Sequence, residues 1–482
     1  MLDLNEVTPL IGRMWLLHQQ ELEQFNIIHD YVDGKLGRPS IPSNADGEVR
    51  DIWRLCVLNV LPLVVDAFVQ NLSVVGYRSS ASGQDAAGWD VWQRNQMDAR
   101  QAEIYTDAVK YGVGYVVAEP TDKGPVFRPR SPRQLVAVYE NPQVDRWPQY
   151  ALETWVDESD AKRHRRGMLF DEINAYPLDL GPLPSIGQGE QVQNAQLTVT
   201  AASVGQPVPH NGTWQGEPVC PVVRYVNRRN SEDLVEGEIY RLLGDQRAIN
   251  EVNFDRLIVA RFGAFPQKVI SNWTGVTKDA AVEVSAKRAL IFEDPVDVKS
   301  FPAASLDPYN DLIDKLIEHV GTKANISLAY LTGKMVNLSA DALAAAESNQ
   351  QRKLVAMRES HGESHEQLLQ LGAVMGGKEA PDEAAEVIWR DTEARSFGVM
   401  ADGLLKVAQA IQQGLPVEPF LPLLPGVTQQ MIDAVRAQKQ TSAVASLIQG
   451  LRPAAVAAQK DQQVAAMANQ TTETPTDGQP RN

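Results

Sequence analysis

Two histidines four residues apart, His361 and His365, have the spacing with which one helix face can offer two zinc ligands. The zinc-protease pattern needs Glu directly after the first His, and here Gly362 stands there with Glu363 one place further on, so the pair reads as a solvated helix face. Asp245, Glu251 and Asp255 could gather carboxylates on one helix for metal-dependent cleavage of nucleic acid. In a chain with 61 Asp and Glu such groupings arise by coincidence, and they read as surface charge. Gly333-Lys334 comes nearest to a phosphate-cradling loop, but Met335 follows where Ser or Thr belongs and the first glycine is missing. Gly112 and Gly114 open a strand rather than a strand-to-helix turn, so they present no amides to a pyrophosphate. The basic run from Lys162 to Arg166 reads as a solvated turn, and Trp53, Trp89 and Trp92 fit helical core positions better than base-stacking platforms. Cys56 and Cys220 show neither CxxC spacing nor a nucleophile signature and read as reduced core thiols. No G-x-S-x-G is present, and no catalytic residue, metal or cofactor follows from the sequence.

The chain that must position these residues has 482 residues, 43% hydrophobic and 22% charged, enough for a sizeable core in about three domains or one elaborate body. Lys+Arg 45 against Asp+Glu 61 leaves a net charge of −16, which excludes broad phosphate neutralisation as the mode of meeting DNA. MLDLNEVTPLIGRMW lacks the charge and apolar pattern of an export signal. The most apolar stretch, 56–69, is broken by Asn59, Pro62 and Asp66, so no membrane span is expected.

Apolar spacing predicts a helix over 5–29, a second over 49–72 kinked or started at Pro62, an extended piece at 74–78, a helix from Trp89 through Ala108, and a strand in YGVGYVVAEP. This first body is mixed α and β. Residues 174–216, rich in Pro, Gly, Gln and Asn, read as a long loop or partly ordered insertion. A helix over 243–265 and short β-like pieces follow, and then a helix that Asp307 caps and Pro308 starts. A break at LTGKMVNL leads to Ser339 as the cap of a very long helix to about Leu371, with Gly362 as its expected bend. EVIWRD reads as a strand, 395–413 and 428–451 as helices, and the closing residues as disordered.

Several long strings, in order, resemble one family. NVLPLVVDAFVQNLSVVGYRS, WDVWQRNQMDARQ, AVKYGVGYVVAEP, SPRQLVAVYENP, INEVNFDRLIVARFGAFPQKVI, GKMVNLSADALAAAESNQQRKLVAMRESHGESHEQLLQL and VIWRDTEARS are similar to the portal, or head-to-tail connector, proteins of tailed bacteriophages, in particular those of long-tailed actinobacteriophages. The resemblance implies an α+β ring subunit: a mixed wing over 1–235, a first stem helix within 236–269, a clip over 270–300, a second stem helix within 301–327, a tunnel loop over 328–338, the wing again over 339–394 with its long helix and strand, a helical crown over 395–455 and a disordered tail over 456–482.

It further implies a homo-dodecameric ring at one capsid vertex of the virion, assembled in the host cytoplasm, with no membrane contact. Double-stranded viral DNA would pass through it during packaging and ejection. The terminase motor and head-tail adaptor would dock at the clip through Trp273, Lys278, Lys287 and Arg288, and major capsid and scaffold proteins would surround it. Leu331, Thr332, Gly333, Lys334, Met335, Val336 and Asn337 would line the DNA channel, with Lys334 making transient phosphate contacts. Asn253, Leu257, Arg261, Ile313 and Ile317 would pack the stem between subunits. The competing expectations are a metal-dependent nucleic-acid-processing enzyme using Asp245, Glu251 and Asp255, and a minor virion adaptor with no bore.

Overall fold

The computed structural model describes residues 4–78, 86–157, 164–182, 203–263, 268–271, 289–292, 305–333, 340–379, 384–390, 405–406 and 408–409. Nine helices carry the described part: α1 Leu4–Val32, α2 Gly47–Leu55, α3 Leu61–Val69, α4 Ala86–Arg94, α5 Met97–Tyr111, α6 Leu243–Gly263, α7 Asp307–Ala324, α8 Leu328–Thr332 and α9 Ala340–Met375. Its strands are β1 Val74–Arg78, β2 Val113–Glu119, β3 Val126–Arg130, β4 Leu135–Val138, β5 Tyr150–Asp157, β6 His164–Phe170, β7 Asn174–Pro182, β8 Ser203–Val204, β9 Val208–Pro209, β10 Thr213–Trp214, β11 Glu217–Pro218, β12 Val222–Val226, β13 Lys268–Ser271, β14 Ala289–Phe292 and β15 Glu386–Trp389. The mixed α+β expectation holds.

Two expected helices are each two. Residues 49–72 divide into α2 and α3, with an irregular break at 56–60; Pro62 sits in the first turn of α3, where its missing N–H is not needed. The helix over 89–108 divides at Asn95-Gln96, where Gln96 takes φ +54° and starts α5. Asn95 uses its side chain there, donating to Val91 O and Pro125 O and accepting from Phe127 N–H, which covers the outer edge of β3.

β2 is buried on both faces because it lies at the centre of an antiparallel β12-β2-β3 sheet. Tyr115 and Val117 face a core shared by the second half of α1 with α3, α5, α6, α7 and α9, while Val116 and Ala118 face a second core of α4, β3, β12 and the later turns of α9. The first half of α1 covers the other sheet, ordered β4-β5-β6-β7-β8 with β9 also on β7, and makes a third core through Val7, Leu10, Ile11 and Met14.

Over its described residues, 174–182 and 203–216, the region read as a long loop or partly ordered insertion contains strands, and 183–202 lie outside the described residues. Asn174–Pro182 alternates buried and half-exposed residues along β7, an internal strand, and short strands return from Ser203 onward. Turn-forming residues are tolerated because Gly181 takes φ +95° at the strand's end and Asp171 caps its start, accepting from Ile173 N–H and Tyr176 O–H. The basic run is likewise not a solvated turn over its described residues: His164 opens β6, and Arg166 pairs with Asp157 and Asp179 on the adjacent strands. The capping residue of α7 is Leu306, with Asp307 already in the first turn and hydrogen-bonded to Ser305 Oγ. Ser339, the expected crown helices except four residues, the tail and most of the expected clip lie outside the described residues.

α9 runs as one helix through Gly362, where a Cβ would meet Val387 Cγ2 at 3.5 Å and Trp389 Nε1 at 3.6 Å, ordinary contact distances, so the approach of β15 does not itself require glycine there. Ser360 and Ser364 of α9 donate to Val226 O and Arg224 O, satisfying the open edge of β12. Cys56 and Cys220 are buried thiols, as expected, and Trp92 is fully buried.

Candidate functional site at the α6/α7 pair and the long helix

Where α6 and α7 pack antiparallel, charged and amide groups fix both ends. Lys323 near the end of α7 donates to Asp245 at the start of α6 at 2.7 Å, and Arg256 donates to Asn310 Oδ1 at 3.0 Å. On the other side of α6, Gln246, Asn250 and Asn253 stand at i, i+4 and i+7, so three amides share one face. They bind the backbone of the 56–60 break. Gln246 accepts from Val60 N–H and donates to Leu58 O, Asn250 accepts from Leu58 N–H, and Asn253 donates to Cys56 O. Asn250 also donates to Gly37 O. Asn250→Ala leaves two half-buried backbone groups without this partner, and a loss of about 2–3 kcal/mol is expected in urea unfolding, against under about 1 kcal/mol if the break were solvated.

α9 meets this pair through one ion pair. Glu238, 1% exposed, accepts from Lys353 Nζ, Arg241 and Asn227. Lys353 also donates to Ala324 O at the end of α7 (3.0 Å) and lies 4.5 Å over the Phe68 ring of α3. Burial pushes the Glu238 carboxyl up, but the Lys353 ammonium and the donors around it outweigh burial and hold it below its ordinary value. Gln350 and Arg358 extend the contact by donating to Ala67 O and Asn71 O in and after α3.

The chain reverses after α7 because Asn325 takes φ +60° and Ile326 N–H returns to Gly321 O at 2.9 Å. α8 then ends at Gly333, φ +64°. Leu331, expected to line a channel, is instead a core residue of the helical turn, against Gly321. Thr332 closes that turn by donating to Leu328 O, and Gly333 is exposed. Lys334, Met335, Val336 and Asn337 lie outside the described residues, as do Trp273, Lys278, Lys287 and Arg288; the described edges of that segment, β13 and β14, pair in parallel.

Of the residues expected between subunits, Ile313 (4% exposed), Ile317 (8%) and Asn253 are buried within their own chain, which corrects their assignment as free interface positions. Ile313 and Ile317 fill the core because α6 packs along that face of α7, and Asn253 is covered by the 56–60 segment that it binds. Leu257 is half-exposed and Arg261 exposed. The carboxylates do not converge: Asp245 pairs with Lys323 and Glu251 with Arg247. Among the described residues no group of three His, Cys, Asp or Glu side chains could hold a metal, and no helix is long and apolar enough to cross a membrane.

His361 and His365 are fully buried, which overturns the solvated-face reading. They continue the stripe of Leu354, Met357 and Leu368 at helical spacing, a signal legible in the sequence once histidine is allowed as a core residue. His365 lies between two hydroxyls, Tyr105 O–H at 2.6 Å from Nε2 and Tyr225 O–H at 3.0 Å from Nδ1. Tyr105 O–H donates to Gln101 Oε1, which places the proton on His365 Nε2 and makes Nδ1 the acceptor for Tyr225.

Residues 17–445 match the family described as "Phage portal protein, SPP1 Gp6-like". The portal protein of Mycobacterium phage L5 is 25% identical over 393 residues, covering 74% of this chain and 73% of the relative. That of Mycobacterium phage D29 is 24% identical with the same coverage. A chain from the virion of a native gene transfer agent particle superposes with a TM-score of 0.45 at 11% identity, over 82% of this chain and 98% of the other. Because the match spans most of α1, both sheets, the α6/α7 pair and all of α9, the chain belongs to the SPP1 Gp6-like family of phage portal proteins.

Proposed function

We propose that this portal protein closes into a dodecameric ring at one vertex of the virion, through which double-stranded DNA passes during packaging and ejection, with the terminase motor and then the head-tail adaptor docking at the segment between α6 and α7. One observation in the chain carries the ring. In the second half of α6 the apolar residues Phe254, Leu257, Ile258, Val259 and Ala260 remain only half-buried by α7 and α2, while Asp255 and Arg261 face solvent. Five half-covered apolar residues on consecutive turns exceed what one core-facing stripe needs, and a neighbouring subunit supplies the missing cover. Leu312, 48% exposed on the outer side of α7, extends that surface. In a closed ring each subunit uses different faces toward its two neighbours.

With a net charge of −16 per chain, the ring centres DNA more than it grips it. Lys334, directly after the Gly333 cap, is then the residue for transient phosphate contact. Lys334→Ala is expected to weaken retention of packaged DNA; normal packaging and retention would remove that role. The separate ion pairs of Asp245 and Glu251 disfavour the nuclease reading.

Negative-stain microscopy with mass photometry tests the ring directly. Rings with a central hole are expected, and particles without a bore or monodisperse monomers at high concentration would overturn the proposal. Leu312→Asp should reduce the ring fraction while leaving the monomer's thermal midpoint within about 1 °C, since a surface substitution changes stability by under about 0.5 kcal/mol.

A further inference from the structure

His361 is the buried polar group with the least support in the described fold. Its ring is wholly covered, and neither nitrogen has a hydrogen-bond partner. A leucine or phenylalanine would fill the place without leaving an N–H desolvated. The ring stacks on Tyr105 of α5 at 5.4 Å and 16°, and His365, one turn along, meets Tyr105, Tyr225 of β12, Trp92 of α4 and Trp389 of β15. Two imidazoles on consecutive turns therefore fasten the later part of α9 to the sheet it covers.

α5 presents Tyr105 and the uncharged Gln101, and β12 presents Tyr225, with Arg224 turned to Asp233. α4 presents Trp92, whose Nε1–H is bound to Asp98. β15 presents Val387 and Trp389, with exposed Glu386 at its end. On α9 itself lie exposed Glu363 and the half-buried Glu366, which accepts from Val387 N–H at 3.1 Å, and the exposed Arg146 acts on Glu366 from the segment before β5. Among the described residues no carboxylate is bonded to either imidazole, so nothing in the closed state rewards their protonation, while Glu366 holds the same strand from the carboxyl side.

We infer that the contact of α9 with β12 and β15 is a proton-operated latch, opened by protons taken up at His361 and His365 and opposed by the proton that Glu366 gives up on opening. The sign follows from each group. Burial lowers His361 to about 4 and holds His365 well below the ordinary 6.5, so each takes up a proton on opening as pH falls through 6.5. Burial raises Glu366 to about 7 from 4.5, so in the same range it releases one. The balance is one proton gained, which makes opening about tenfold easier per pH unit between pH 6.5 and 4.5.

Hydrogen exchange on the full chain, corrected for intrinsic rates, tests this in peptides covering 357–371 and 222–226, with α6 and α7 peptides as reference. In the wild type, exchange there is expected to rise about tenfold per pH unit while the reference stays protected. His361→Leu should flatten the dependence, because His365 and Glu366 then cancel. Glu366→Gln, which keeps the acceptor for Val387, should steepen it toward about a hundredfold per unit. His361→Gln, uncharged and close in size, should flatten it as the leucine does, and circular dichroism at neutral pH establishes that each variant folds. Equal slopes in wild type and both His361 variants, an unchanged slope in Glu366→Gln, or simultaneous loss of the reference peptides would overturn the latch.

Discussion

Glu238→Ala is expected to destabilise the chain by about 3–5 kcal/mol, because it leaves the Lys353 ammonium in a largely buried place with only Ala324 O as a hydrogen-bond partner. The carboxylate is the point at which several elements are tied. It follows β12, it pairs with α9 through Lys353, and Lys353 in turn holds the end of α7 and covers Phe68 of α3. Lys353→Met should cost less, since Glu238 keeps Arg241 and Asn227 and the methionine stem retains the packing on Phe68. Burial works against the Lys353 ammonium while Glu238 supports it, and the close contact between them keeps the pair charged at neutral pH. The depressed carboxyl sets the pH range: its stabilisation is complete above the ordinary value of 4.5 and is lost as pH falls through the depressed one. Urea unfolding should therefore show a constant gap between wild type and Glu238→Ala from about pH 8 to about pH 5, narrowing in stronger acid. A gap under about 1 kcal/mol at neutral pH would mean that the pair is replaceable by solvent.

Gly237→Ala is expected to be almost as damaging, for a steric reason. A Cβ at 237 would stand 2.5 Å from Lys110 O and 2.7 Å from Gly112 N, and one at 112 would stand 2.8 Å from Glu236 C and Gly237 N. These are backbone atoms that no rotamer change can move. They are held by Glu238 N–H to Val109 O at 2.8 Å and Asn227 N–H to Gly112 O at 2.9 Å. Gly112 also needs φ +95° to end α5 and start β2. Forcing the two segments apart displaces Glu238 from Lys353, so a loss at or above the top of the about 1–3 kcal/mol range for overpacking is expected in thermal unfolding. Gly12→Ala is the control: nothing lies within 4 Å of its Cβ in the middle of α1, and a gain of up to about 1 kcal/mol is expected. Equal midpoints for the two variants would show that the crossing is loose.

Much of the chain's order was legible from spacing alone. α1, α6, α7 and the length of α9 followed from 3.6-residue periodicity, and β2 from an alternating pattern rich in β-branched residues. The division of two helices at 56–60 and 95–96 was not, because an apolar stripe continues across each break while distant partners decide the break: the side chains of Gln246, Asn250 and Asn253 bind the backbone at 56–60, and the backbone of Pro125 and Phe127 binds the Asn95 side chain. β7 escaped notice because its prolines and glycine dominate a composition reading, although its alternating burial obeys the two-residue period.

The sequence by itself determined the succession of elements, the acidic balance, the lack of the catalytic motifs sought, and a collinear resemblance that the family match over 17–445 then bore out. His361 and His365 lie on an apolar stripe that the sequence already shows. Tertiary structure alone decided the interior place of Glu238, Lys353 and the three amides of α6, which lie among other charged and polar residues in the chain and look like solvent-facing positions there. They are drawn inside because each finds a partner contributed by an element far away in sequence, and local periodicity carries no information about partners that only folding brings within hydrogen-bond distance.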